Sequence, residues 1–339
     1  MKSSSPAEPL DFDVHRLIAF LHRQVPGMEG AIELQRIGGG QSNPTYFVTS
    51  SQRTLVLRKR PRGLLVPGAH DVAREFKVQQ ALLGTGVPVP EPVLYHPGEE
   101  VVGTDFYLME SVPARQYYDF SLPGVPSGER ALIYADTARQ LAKLHQVDWR
   151  ARGLGEFSRE GSYLRRQIKR WEQAYAGTPD GADAAAVASY LRANCPATEL
   201  QCLIHGDFKF NNLLIHPTRP ELAAILDWEL FTIGDPVSDL AFTLVTTWDT
   251  RPEEYGGIMG LEQLDPTLPK AEDFLAVYYR EFPAAPPLDN FYRTLALLRI
   301  GGICEGIRQR AQQGNAAAAN AVETGKLGRV YLDRALALI

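Results

Sequence analysis

Cysteine is scarce in this chain: 339 residues hold three, Cys195, Cys202 and Cys304. None stands in a C-x-x-C pair, so neither a disulfide framework nor a thiolate metal site can be built from them. They read as small buried hydrophobes, reduced as in the cytosol. Long apolar runs are also missing. No stretch reaches the roughly 20 residues that cross a bilayer. The opening MKSSSPAEPLDFDVHRL lacks the apolar core of a signal peptide. The expectation is a cytoplasmic protein with no membrane partner. A basic surplus is missing too, since 35 Lys and Arg face 40 Asp and Glu, a net charge of -5. Nucleic-acid binders carry a clustered basic excess, so no nucleic-acid partner is expected. What remains is ordinary globular composition, 45% hydrophobic and 22% charged. That supports a sizeable core, and the length suggests two domains or one two-lobed unit.

Hydrophobic spacing organises the chain. Val14, Leu17, Ile18 and Leu21 recur at helical spacing, which predicts a helix over 13–23. Residues 31–37 suit a strand, GGGQSNPT (38–45) a loop, and 46–48 with 54–58 a β-hairpin. A helix is expected over 71–83 and a strand over 106–109. Beyond Pro113 helices dominate: 128–147, 163–175, 183–194, 275–282, 291–312 and 316–339. The tract NAAAANA (315–321) favours helix, because alanine has the best propensity. No internal repeat is visible. The pattern is α+β, a β-rich lobe over 1–112 followed by a larger helical lobe over 113–339.

One stretch carries far more chemistry than a turn needs. Residues 203–215 read LIHGDFKFNNLLI, and ILDW follows at 225–228. Two short apolar strands joined as a hairpin can bring Asn212 and Asp227 side by side. Both offer hard oxygen ligands, which suit Mg²⁺. Asp207 then lies just off the metal as a proton acceptor. One base and two metal ligands form the set that phosphoryl transfer needs. Downstream, Asp235 can cap a helix whose first residue is Pro236, with Asp239 one turn on. Both read as supports behind the loop, and His145 as a packed helix-end residue.

HGDFKFNN followed by ILDW and GDPVSDLA resembles the aminoglycoside phosphotransferase and choline kinase-like families, which share the protein-kinase-like fold. The resemblance implies a bilobal architecture with ATP and Mg²⁺ as cofactors. Asp207 would be the catalytic base, Asn212 and Asp227 the metal ligands, and His205 a brace for the loop. It also implies a glycine-rich turn, a strand cation and a helix acid in the first lobe. IGGGQSNPTYFV (37–48) supplies the turn, with Gly39, Gly40 and Ser42 facing phosphate. The resemblance favours Arg58 as the cation, with Lys59 the alternative; alternation puts the two on opposite strand faces. Glu75 is the acid partner. YLMES (107–111) resembles the strand that receives adenine, which points to Met109 and Glu110; an ordinary core role for Met109 stays open.

The acceptor is less legible. Residues 270–339 hold nine Lys or Arg against seven Asp or Glu, a net +2 that disfavours a polycationic aminoglycoside. IGGGQSNPTYFV, VLRKRP, LDWELFTIGDP and GGICEGIRQRAQQG together resemble the kinase-like domain fused to some acyl-CoA dehydrogenases. That narrower resemblance implies a small-molecule hydroxyl substrate, a hydroxyacyl-CoA, with Arg308 and Arg310 as contacts to the anionic CoA and a functional link to an acyl-CoA dehydrogenase. Two other readings stay open: a nucleotide-binding pseudokinase-like module, and an aminoglycoside or amino-alcohol kinase. A metal hydrolase built on His205, Asp207 and Asp227 would want more clustered ligands than the sequence displays.

Overall fold

A computed structural model describes residues 10–38, 43–63, 70–312 and 321–339. Gly39, Gly40 and Ser42 of the expected phosphate turn lie outside the described residues, as does most of the alanine tract 315–321. The chain divides into two compact units, Met1–Leu83 with Pro90–Val112, and Gly84–Val89 with Pro113–Ile339. The second unit therefore includes a short loop from within the first 112 residues. Backbone and side-chain bonds explain why: Ile225 N–H donates to the Pro88 carbonyl (2.9 Å) and Lys143 Nζ to the Gly86 carbonyl (3.1 Å).

The first unit is a five-stranded antiparallel sheet between two helices. The strands are β1 (Glu33–Arg36), β2 (Thr45–Thr49), β3 (Thr54–Lys59), β4 (Pro92–His96) and β5 (Phe106–Glu110), in the order β1-β2-β3-β5-β4. Side chains alternate across the sheet. Leu55, Leu57, Phe106 and Leu108 pack with Leu17, Phe20 and Leu21 of helix α1 (Val14–Gln24). Val56, Tyr107 and Met109 pack on the opposite face with Val72 and Phe76 of α2 (Val72–Leu82). Fully burying each such Leu or Val stabilises by about 1.5–3 kcal/mol, and a charge at Leu57 would break this face. Both helices start where Asp caps them: Asp13 accepts from His15 and Arg16 N–H, Asp71 from Arg74 N–H. Strand β4 has no counterpart in the sequence reading. It begins on a proline, lies at the sheet edge beside β5 and is half-buried throughout, so it lacks the alternation that marks a strand.

The second unit is mainly helical: α3 (Ser127–His145), α4 (Tyr163–Ala174), α5 (Gly181–Ala193), α6 (Pro236–Trp248), the short α7 (Pro252–Tyr255), α8 (Ala271–Glu281), α9 (Asn290–Gln312) and α10 (Ala321–Leu336). Two small ribbons sit among them, β6 (Cys202–Ile204) with β9 (Thr232–Gly234), and β7 (Leu213–Ile215) with β8 (Leu222–Ile225). Glycines inside α9 would each cost about 1 kcal/mol relative to alanine. Close packing accounts for two of them. A Cβ on Gly301 would stand 2.3 Å from the Tyr175 hydroxyl and 3.1 Å from the Gly328 carbonyl, and one on Gly302 3.0 Å from the Trp171 ring. These glycines let α4 and α10 approach α9.

Candidate active site

In the first unit the two candidate strand cations part by face. Arg58 points to the α2 side, where its Nε stands 2.8 Å from Glu75 Oε2. Lys59 points to the α1 side, fully buried, with Nζ 2.5 Å from Asp11. Burial pushes the Lys59 ammonium below its ordinary range. Glu75 is itself buried and collects three groups. Besides Arg58, it accepts from Asn43 Nδ2 (2.8 Å) and the Tyr107 hydroxyl (3.1 Å). Burial, followed by the Glu75 charge, raises the Tyr107 hydroxyl well above its usual value, so it stays a neutral donor. Asn43, within GGGQSNPT, was not singled out in the sequence; its amide ties β2's approach to Glu75 of α2. Met109 is buried on the α2 face, its sulfur 3.9 Å from Gln79 Nε2. Glu110 is engaged twice: its carboxylate pairs with Arg53, and its N–H donates to the Glu91 carbonyl at 2.8 Å.

In the second unit the HGD loop follows β6. Asp239, one turn into α6, is buried and uses both carboxylate oxygens on the loop backbone. Oδ2 accepts from His205 N–H (2.8 Å) and Oδ1 from Gly206 N–H (2.9 Å). His145 Nε2 approaches the same carboxylate at 3.4 Å, and its Nδ1 meets the Tyr278 hydroxyl at 2.8 Å. Burial alone would raise the Asp239 carboxyl, but the His145 hydrogen bond and nearby His and Arg charges outweigh it and hold it low. Asp235 caps α6 through Val237 and Ser238 N–H, with Pro236 at the first position.

His205 is fully buried, and its bonds fix its state. Nδ1 accepts from Asp207 N–H (3.1 Å) while Nε2 faces the Leu226 carbonyl (2.9 Å). A carbonyl only accepts, so Nε2 carries the hydrogen and the ring is neutral. Burial agrees, pushing the imidazole below its ordinary value. His205 thus links the Asp207 segment to the Asp227 segment.

Asn212 donates through Nδ2 to both the main-chain oxygen and Oδ2 of Asp207, each at 2.9 Å. Lys209 Nζ stands 3.1 Å from the same Oδ2. Leu226 N–H donates to the Asn212 carbonyl (2.8 Å) and Leu213 pairs with Ile225, so the β7–β8 ribbon sets Asn212 beside the residue before Asp227. Asp227 is in the left-handed region, φ 66° and ψ 59°. Asp tolerates that conformation better than most residues, though it still costs about 1–2 kcal/mol. Such cost is characteristically retained at functional sites. With Nδ2 turned to Asp207, Asn212 offers Oδ1 elsewhere. That oxygen and the Asp227 carboxylate fit a hard cation that keeps several waters and takes its other ligands from phosphate, as Mg²⁺ does.

Beside Asp207 lies a small cavity of about 50 Å³, lined by Phe120, Phe242, Ile300 and Ile303 and by the polar Lys209, Asn211, Thr246 and Tyr255. Asp207 is its one carboxylate among the described residues. Neither Arg308 nor Arg310 lines it. Arg308 is held by both oxygens of Glu305, at 2.7 and 2.6 Å, and Arg310 is exposed.

A β-sheet unit with a buried cation–acid pair, joined to a helical unit that presents an HGD loop and a neighbouring Asp, defines a class of kinase-like phosphotransferases. Residues 33–290 match the phosphotransferase enzyme family (APH), and the chain belongs to that family. It is 38% identical over 315 residues to acyl-CoA dehydrogenase family member 11 of Rattus norvegicus, covering 90% of this chain and 40% of that protein. The chain thus spans less than half the length of that relative. Among solved structures it resembles a Ralstonia eutropha protein provisionally named an aminoglycoside phosphotransferase. That match has TM-score 0.85 and 34% identity, over 96% of this chain and 98% of the other. A ternary complex of aminoglycoside phosphotransferase APH(4)-Ia with AMP-PNP and hygromycin B shares the fold at TM-score 0.63 and 17% identity, covering 95% and 98%. The structure therefore has the kinase-like α+β fold of these phosphotransferases. None of the helices among the described residues is long and apolar enough to cross a membrane.

Proposed function

We propose that this protein transfers the γ-phosphoryl group of ATP to the hydroxyl of a small molecule, a hydroxyacyl-CoA. The observation that carries the reaction is the pairing of Asp207 with Asn212 at 2.9 Å, on a loop backbone held by Asp239. Asp207 is aimed at an acceptor hydroxyl and takes its proton. As the acceptor oxygen bonds to the γ-phosphorus, the bond from that phosphorus to the ADP oxygen breaks and ADP leaves. Mg²⁺, held through Asn212 Oδ1 and Asp227, would supply charge neutralisation on the phosphates. In the first unit Arg58, fixed by Glu75, binds phosphate, and by the sequence resemblance Gly39, Gly40 and Ser42 share that role. Met109 and Glu110 lie on the adenine side, where the side-chain and N–H bonds of Glu110 leave recognition to neighbouring backbone groups.

Two features favour an acyl-CoA acceptor over an aminoglycoside. The cavity beside Asp207 mixes Phe and Ile with Lys209, Asn211, Thr246 and Tyr255, and Asp207 is its one carboxylate among the described residues, so it offers a polycation little opposite charge. The relative named acyl-CoA dehydrogenase family member 11 points to a functional partnership with such a dehydrogenase. Arg308 is already committed to Glu305, so any contact with CoA phosphates falls first to Arg310. The test is ADP release by the purified protein with Mg²⁺ and ATP, across short-chain hydroxyacyl-CoAs, aminoglycosides and amino alcohols. Turnover confined to the CoA thioesters supports the reading. Turnover only on an aminoglycoside or amino alcohol refutes the acceptor. Tight Mg-ATP binding without turnover on any of them favours a nucleotide-binding module.

A further inference from the structure

Three polar groups of the two peptides that lead into Asp207 are engaged. Gly206 N–H goes to Asp239 Oδ1, Asp207 N–H goes to His205 Nδ1, and the Gly206 carbonyl accepts from Arg299 Nη2 of α9. That carbonyl and the Asp207 N–H belong to one rigid peptide plane. Arg299 therefore grips the plane from which the Asp207 side chain is hung. Gly206 makes the turn possible: its φ is +79°, and a Cβ there would stand 2.5 Å from the Leu230 carbonyl oxygen.

Arg299 is an unusual residue to find in this place. It is only 8% exposed, and its guanidinium lies 4.2 Å over the Phe242 ring and 5.9 Å from that of Trp171. Among the described residues no carboxylate lies within ion-pair distance of it. Burying a charge without a paired carboxylate is costly, and Leu or Met would fill the same volume more cheaply. The compensation is the carbonyl of Gly206, the aromatic face of Phe242 and the charge of the Asp239 carboxylate, which stands beyond ion-pair distance. Ile300 and Ile303 of α9 wall the cavity beside Asp207, and so does Phe242. The helix that shapes the acceptor cavity is thus the helix that fixes the base.

We propose that Arg299 is a positioning residue for Asp207, acting through the Gly206–Asp207 peptide rather than by touching substrate. The kinetic part of this inference rests on the phosphotransferase reading; the loop geometry does not. The experiment compares the full chain with Arg299→Met and Arg299→Lys. It measures kcat, KM for ATP, melting, and hydrogen exchange at the backbone amides of residues 205–208. Arg299→Met should lower kcat about 10- to 100-fold, the scale of a misplaced catalytic group, with KM for ATP within about twofold, as expected for a change confined to the base. Exchange should quicken at Gly206 and Asp207 while the α6 amides stay protected. Arg299→Lys keeps one donor and should recover part of both effects.

Unchanged kcat and exchange in a folded Arg299→Met would overturn the proposal. So would loosening spread evenly over the unit with no recovery in Arg299→Lys, since that is the mark of a packing role alone. If Arg299→Met does not fold, Arg299→Lys decides by the same local measures. If the wild-type protein turns over no acceptor, the phosphotransferase reading fails on its own. The exchange comparison then still judges Arg299: local loosening upholds it, and its absence overturns it.

Discussion

Asn212 holds Asp207 at two points with one nitrogen, the main-chain oxygen and Oδ2, each 2.9 Å away. The proposed metal ligand is therefore also the clamp on the proposed base. Asp207→Asn should lower kcat by about 10²–10⁴-fold, the usual contribution of a general base, and leave Mg-ATP affinity nearly unchanged. Asn212→Ala should lower kcat at least as much and weaken Mg-ATP binding as well. Steady-state kinetics and calorimetric titration with Mg-ATP separate the two. Equal and purely kinetic effects would show that Asn212 serves only as a clamp.

Asp227 allows ligand and backbone roles to be pulled apart. It sits at φ 66°, a conformation glycine adopts without penalty. Asp227→Gly should melt within a few degrees of the wild type, because about 1 kcal/mol of relieved backbone cost offsets the side-chain interactions it removes. It should nonetheless lose most Mg-ATP affinity. A melting point several degrees lower, with affinity intact, would mean that the Asp227 side chain holds the fold rather than the metal.

Glu75 is the shared acceptor of Arg58, Tyr107 and Asn43. Removing one partner of a buried ion pair costs about 3–5 kcal/mol. Glu75→Ala should therefore destabilise the chain by about 3 kcal/mol in urea unfolding and raise KM for ATP. A loss under 1 kcal/mol would indicate that the pair is solvated in solution.

Asp235 gives a pH signature. Burial raises its carboxyl to about 7, against the pull of its Ser238 and Val237 hydrogen bonds. In the folded chain it keeps a proton that the unfolded chain sheds near pH 4. Its stabilising contribution is thus complete below about pH 4 and is lost as pH rises through 7. Asp239 works in the opposite sense, since its carboxyl is held low: its contribution is present above about pH 4 and lost as pH falls through its folded value. Asp235→Asn keeps a capping side chain and removes only the first effect. Unfolding free energies of wild type minus variant should fall between pH 4 and 7 and level off above. A flat difference across that range contradicts a buried, raised carboxyl.

The parts of the fold and site that were legible in the sequence share one property: their information is local. The α1 stripe, the Asp235–Pro236 helix start and the order His205, Asp207, Asn212, Asp227 can each be read within a few residues. Strand alternation separated Arg58 from Lys59, but which face carried α2 depends on tertiary packing. Asp239 could be read as a support behind the loop, though not which N–H groups it holds, whereas Asn43 and Arg299 act on partners 32 and 93 residues away. No spacing rule reaches that far. Strand β4 escaped for the converse reason, since an edge strand buried evenly on both sides has no period to detect.

The loop Gly84–Val89 has a consequence for how the chain is made. Its anchors are Lys143 and, through Pro88, Ile225. At roughly 5–20 residues per second, a ribosome takes on the order of ten seconds to pass from one to the other. During that interval α2, α3 and the flanking strands can already assemble, while the Pro88 carbonyl waits for a strand not yet synthesised. The loop should therefore close in two stages as the chain emerges, first on α3 through Lys143 and then on β8 through Ile225.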